Sequence, residues 1–85
     1  DPTGILRAMV YYPMSNGRSI NEFVRLLQAL QTSDKHGVAT PEAGCPGDKV
    51  IVPPPKTSAA AEERVSKGAA QGMEVTDWYY SKKTL

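Results

Sequence analysis

The side chains best equipped for chemistry in this 85-residue chain are few: the thiol of Cys45, the imidazole of His36 and the guanidinium of Arg18. Cys45 lies between Gly44 and Pro46, with no cationic cluster near it in sequence and no second Cys or His at metal-ligand spacing. A reactive cysteine needs a local cause for a lowered pKa, so Cys45 reads as an incidental, partly exposed thiol. His36 has no partner motif and reads as a helix-end residue. Arg18 differs. It precedes Ser19 at the start of Ser19-Ile20-Asn21-Glu22, a capping box in which Ser and Glu satisfy exposed amides. It therefore projects from a helix amino terminus, where the backbone already favours negative charge. The plain alternative is a solvated surface arginine. No metal or cofactor site is legible, and no cofactor is expected.

Several elements must position these residues. Asp1-Pro2-Thr3-Gly4 is a turn sequence, with Pro presetting φ and Gly closing the bend. Ile5 to Tyr12 is rich in β-branched, aromatic and aliphatic residues and predicts a strand, apolar on both alternating faces and so expecting cover on both. Its natural hairpin partner would lie before Asp1, which leads to the expectation that the chain is a fragment. Pro13 ends the strand, and a helix follows to about Ser33. Ile20, Phe23, Val24, Leu27 and Leu30 form its apolar face, Lys35 and His36 suit its negative end, and Gly37 supplies a left-handed stop. Strand, short loop and amphipathic helix in succession indicate an α/β layer arrangement.

From Val38 the composition shifts to turn formers, and the internal boundary is placed there. Lys49 to Val52 predicts a short strand, stopped by Pro53-Pro54-Pro55. The prolines lack the spacing of an SH3 ligand. Thr57 or Ser58 can cap a second helix containing Ala59 to Lys67, with Gly68 as its stop and little beyond Ala61 and Val65 to bury. Gly68 to Glu74 reads as a flexible linker. Trp78-Tyr79-Tyr80 forms an aromatic cluster that serves either as a contact surface or as the closure of a small local core.

Composition excludes several functions. Ten basic and nine acidic residues are mixed along the chain, giving a net charge of +1 and no electrostatic footprint for a phosphate backbone, so nucleic acid is not an expected partner. No apolar run approaches a membrane span, and the first residues lack the features of a signal peptide. With a single unpaired cysteine, a cytoplasmic setting is the expectation.

Taken in order, several segments resemble one family. Asp1-Pro2-Thr3-Gly4-Ile5-Leu6-Arg7, Tyr12-Pro13, and Gly17-Arg18 with Asn21-Glu22 are similar to the last hairpin and following helix of the peroxiredoxin domain. Val38-Ala39-Thr40-Pro41, Gly47 to Pro55, and Asp77-Trp78-Tyr79-Tyr80 resemble the tail of the long, one-cysteine branch. The resemblance implies an α/β fold: residues 1–37 as the last strand and helix of a thioredoxin-like domain, and residues 38–85 as a small α+β carboxyl-terminal arm domain. It implies a thiol peroxidase that reduces hydrogen peroxide and organic hydroperoxides through a cysteine thiolate, re-reduced by a thiol reductant, and a homo-oligomer assembled through the arm. The family's Pro-x-x-x-Thr-x-x-Cys segment does not occur here, so the chain lacks the catalytic cysteine. Arg18 falls where the branch carries the arginine of its Gly-Arg motif, near that cysteine, and this makes it the candidate catalytic residue. Ser81 stands where several members carry a resolving cysteine, a role that serine cannot fill. The competing reading is a non-enzymatic dimerisation or partner-binding module.

Overall fold

The computed structural model describes residues 1–85. Its first element is helix α1, Ile20–His36, three residues longer than its apolar periodicity indicates. Ser19 is the N-cap and accepts from the Glu22 amide. At the other end Gly37 adopts φ 62 and ψ 38, and its N–H donates to the Ser33 carbonyl. That left-handed geometry is the one a side chain resists and glycine accepts, so the predicted stop sits where expected.

Ahead of α1 the sequence and the structure diverge. Asp1 folds the opening turn: its Oδ1 accepts from the Thr3 and Ile5 amides, and Gly4 N–H reaches the Asp1 carbonyl. The strand expected over Ile5 to Tyr12 is not formed, because no other strand pairs with its backbone, whose Ile5 end is tied only to Asp1. A strand exists only by pairing, and strand propensity without a neighbour gives an unpaired segment. Side chains hold it to α1 instead. Arg7 makes a two-pronged ion pair with Asp34, at 3.0 and 2.9 Å, and Tyr12 meets Phe23 edge to face with centroids 6.1 Å apart.

The remaining elements build an antiparallel sheet of order β1-β3-β2: β1, Val50–Val52; β2, Glu74–Asp77; and β3, Tyr80–Lys83. Strand β3 is central, with Val52 and Val75 both registered on Ser81. Ala39 exchanges both backbone hydrogen bonds with Ile51 of β1, which brings the segment after α1 to the sheet. Helix α2, Ser58–Lys67, is capped by the Thr57 hydroxyl and packs beside β2.

Gly68 to Glu74 is not a linker. Gly68 has helical φ −58 and ψ −41, Ala69–Gln71 continue as a 3₁₀ turn, and Gly72, at φ 85, makes the left-handed exit. Glycine is needed at 68 for room: a Cβ there would lie 2.4 Å from Val75 Cγ2. The core is correspondingly small. Its buried apolar residues are Ala29, Val38 and Val50, joined by the fully buried Ser81.

Candidate functional site

Helix α1 presents two opposed faces, since each residue advances about 100° around the axis. Ala29 is its one buried residue and faces the loop and sheet that follow. Ile20, Val24 and Leu27, on the other side, are exposed by half or more. The apolar face expected to pack through Phe23, Leu27 and Leu30 is thus largely uncovered in this chain, with Phe23 and Leu30 half-buried.

Arg18 stands one residue ahead of the N-cap, exposed, with no hydrogen bond or ion pair to any part of the chain. The helix start behind it is well anchored. Tyr12 packs on Phe23, and the Asn16 amide closes a turn on the Pro13 carbonyl at 3.0 Å. An unpaired guanidinium beside a helix amino terminus is chemically suited to an anion, because fixed cation and backbone dipole act in the same direction.

Only half of the capping box forms. Ser19 Oγ accepts from the Glu22 amide at 3.3 Å, but the Glu22 carboxylate does not return to Ser19. It is held by Arg25, whose Nε and Nη2 donate to the two carboxylate oxygens at 2.8 and 2.7 Å. Arg25 Nη1 also donates to the Gly44 carbonyl at 3.3 Å. The hydrogen bonds between the two side chains hold the Glu22 carboxyl below its usual range and the Arg25 guanidinium above its own. Arg25 lies off the apolar face of α1 formed by Ile20, Phe23, Val24, Leu27 and Leu30. The Glu-x-x-Arg spacing was the available signal, since residues three apart on a helix are neighbours; the tie to Gly44 has no sequence signature.

Cys45 is exposed. Its amide donates to Asp48 Oδ2 at 2.9 Å, and its Sγ lies 3.8 Å from the Ala43 carbonyl. With His36, Gln28, Thr32 and Leu85 it borders a shallow cleft of about 200 Å³ between α1 and the sheet. No group of three His, Cys, Asp or Glu side chains is disposed to hold a metal ion, and no helix is long and apolar enough to cross a membrane. The aromatic cluster is at the β2–β3 turn, where Trp78 and Tyr79 meet edge to face at 5.4 Å and remain 42% and 58% exposed. Ser81 is fully buried in β3, donating to the Asp77 carbonyl at 3.1 Å.

Comparison with known proteins matches these features to one family. Residues 29–68 fit the family description "C-terminal domain of 1-Cys peroxiredoxin". A peroxiredoxin of Aquifex aeolicus is 47% identical, and one of Archaeoglobus fulgidus 42% identical, each over the whole chain. The chain spans 41% of the length of each. Among solved structures, a yeast mitochondrial 1-Cys peroxiredoxin, studied for the resolution of its thiol via glutathione and thioredoxin systems, superposes on the whole chain with TM-score 0.79 and 33% identity. The chain covers 38% of that structure. In sequence along its whole length and in fold, then, this chain is similar to the carboxyl-terminal part of one-cysteine peroxiredoxins.

Proposed function

We propose that the chain acts as the carboxyl-terminal segment of a thiol peroxidase whose peroxidatic cysteine lies upstream of Asp1. The observation that carries this is Arg18: an unpaired cation at a helix start, in a chain similar to peroxiredoxins along its whole length. In the proposed reaction the cysteine thiolate attacks one oxygen of hydrogen peroxide or an organic hydroperoxide. The O–O bond breaks, and the departing hydroxide or alkoxide takes a proton. The sulfur is left as sulfenic acid, which two equivalents of a thiol reductant return to the thiol with release of water. Arg18 would stabilise the thiolate before attack and the charge on the leaving oxygen during it.

In this reading residues 1–37 complete a thioredoxin-like domain and residues 38–85 form the arm, with Gly37 ending the helix between them. The arm would mediate homo-oligomer contacts, and a cytoplasmic location is in keeping with the single unpaired cysteine. The exposed Trp78 and Tyr79 also favour a second reading, a non-enzymatic dimerisation or partner-binding module, because exposed aromatics are frequent anchors at interfaces.

Substitution of Arg18 in the full-length protein decides between them. Arg18→Lys keeps the charge without the planar fork, and Arg18→Met removes the charge at similar bulk. Peroxide turnover is expected to fall in the order wild type, Lys, Met, and the cysteine's apparent pKa to rise in the Met variant. If Arg18→Met keeps both, Arg18 is a surface residue and the enzyme reading loses its only site in this chain.

A further inference from the structure

Arg18, Glu22 and Arg25 are one carboxylate between two guanidiniums, Arg25 on α1 and Arg18 one residue ahead of the N-cap. Glu22 lies three residues before Arg25 on the helix, a spacing that forms an ion pair, and four residues after Arg18, which stands ahead of the N-cap. In this structure the carboxylate is wholly committed to one side. Both of its oxygens are taken by Arg25 at 2.8 and 2.7 Å, and Arg18 has no partner. Arg25 is the better-fixed cation, its side chain only 22% exposed and its third nitrogen on the Gly44 carbonyl of the following loop. Glu22 forgoes even its capping-box bond to Ser19.

We infer that Arg25 is a positioning residue that sequesters Glu22 and so keeps Arg18 unneutralised for an anionic partner. The Gly44 carbonyl fixes Arg25, Arg25 fixes Glu22, and the loop of residues 41–48 thereby sets the charge available at the helix start. The inference deepens the proposed peroxidase reading and rests on it for its catalytic consequence, but the commitment of Glu22 to Arg25 is a property of this chain.

The test uses the full-length protein and two readouts. Without Arg25, Glu22 is expected to turn to Arg18, so a crystal structure of Arg25→Met should show the two side chains paired within 4 Å, the ion-pair limit. Peroxide reduction should fall roughly three- to tenfold, as expected when one neighbouring charge is neutralised. Adding Glu22→Gln to Arg25→Met should restore most of the rate while leaving the Gly44 tie broken, a recovery that loss of a merely structural brace cannot give. If Arg25→Met does not fold, Arg25→Lys carries the same comparison with and without Glu22→Gln, because lysine cannot hold both carboxylate oxygens in a fixed fork. The inference is overturned if Glu22 turns to the Ser19 amide or to solvent, or if Glu22→Gln restores nothing. Failure of the enzyme reading is distinct: Arg18→Met would then leave turnover unchanged, whatever Glu22 does in the crystal.

Discussion

Arg18 is exposed and Ser81 fully buried, and this decides what each can do. Arg18 reaches solvent with no partner, so its charge is free to act on whatever approaches the helix start. Ser81 has none of its surface exposed, with β1 registered on one side of it and β2 on the other. A cysteine at that position would have to leave the sheet before its sulfur met another. Replacing Ser81 by Ala removes one hydrogen bond, to the Asp77 carbonyl, and leaves that carbonyl short of a donor; a loss of about 1 kcal/mol is expected. Ser81→Cys should fold, and its thiol should react with a soluble thiol reagent on the order of tenfold or more slowly than Cys45, since access requires local opening of the sheet. Equal labelling rates at the two positions would show that β3 is not held in the centre of the sheet.

At the scale of elements, two devices fix the sheet and its helix. Gly68 allows the end of α2 to pass against β2, and an added Cβ would collide with both Val75 Cγ2 and the Arg64 carbonyl. Gly68→Ala should therefore destabilise by roughly 1–3 kcal/mol, even though its helical φ suits alanine, because overpacking and not backbone strain is the cost. A melting temperature raised by alanine would show that helix propensity wins over the close approach. The second device is the ion pair between Lys49, just before β1, and Glu74, at the start of β2, which reaches across the central strand. The hydrogen bond from Lys49 lowers the Glu74 pKa, so Glu74 contributes stability above the ordinary carboxylate range and loses it as pH falls through its lowered value. Acidification below about pH 4 should loosen the two edge strands more in wild type than in Glu74→Gln, as seen by amide exchange at Val50 and Val75. The caps of these elements were legible beforehand: Ser19, Thr57 and Gly37 act locally, and their side chains or missing side chains announce it. Pairing was not. Nothing local in Ile5 to Tyr12 says that no neighbour will hydrogen-bond to it. Likewise, the residues from Glu74 to Lys83 do not alternate strongly enough to reveal that β3 sits between its two partners. The placement of Arg18 ahead of a helix start was legible because its setting is a capping motif, whereas the placement of Arg25 depends on a carbonyl nineteen residues away.

The whole molecule is too open for its length. Its radius of gyration is 16.0 Å, where a compact chain of this size has about 12 Å. It exposes 6501 Å², about 1,600 Å² more than a folded monomer of the same mass, roughly twice what one partner buries in a standard protein interface. Exposed apolar side chains cluster in two segments, at Ile5, Leu6, Met9 and Val10 and on the outer face of α1 at Ile20, Val24 and Leu27. Surface of this kind favours association, and the unpaired segment before α1 adds free backbone donors and acceptors that can template pairing. Expressed alone, residues 1–85 are expected to fold poorly or to self-associate. Leu27 tests the cause. In the chain by itself Leu27 is 57% exposed, so Leu27→Ala should cost well under about 1 kcal/mol. In the proposed full-length protein, where the thioredoxin-like domain would cover that face, the same substitution should cost roughly 2–5 kcal/mol as a core truncation. Sedimentation of the short chain and thermal unfolding of both proteins measure the two halves of this expectation. A monodisperse, cooperatively unfolding monomer of residues 1–85, or a Leu27→Ala variant that melts like wild type in the longer protein, would mean that the outer face of α1 is meant for water after all.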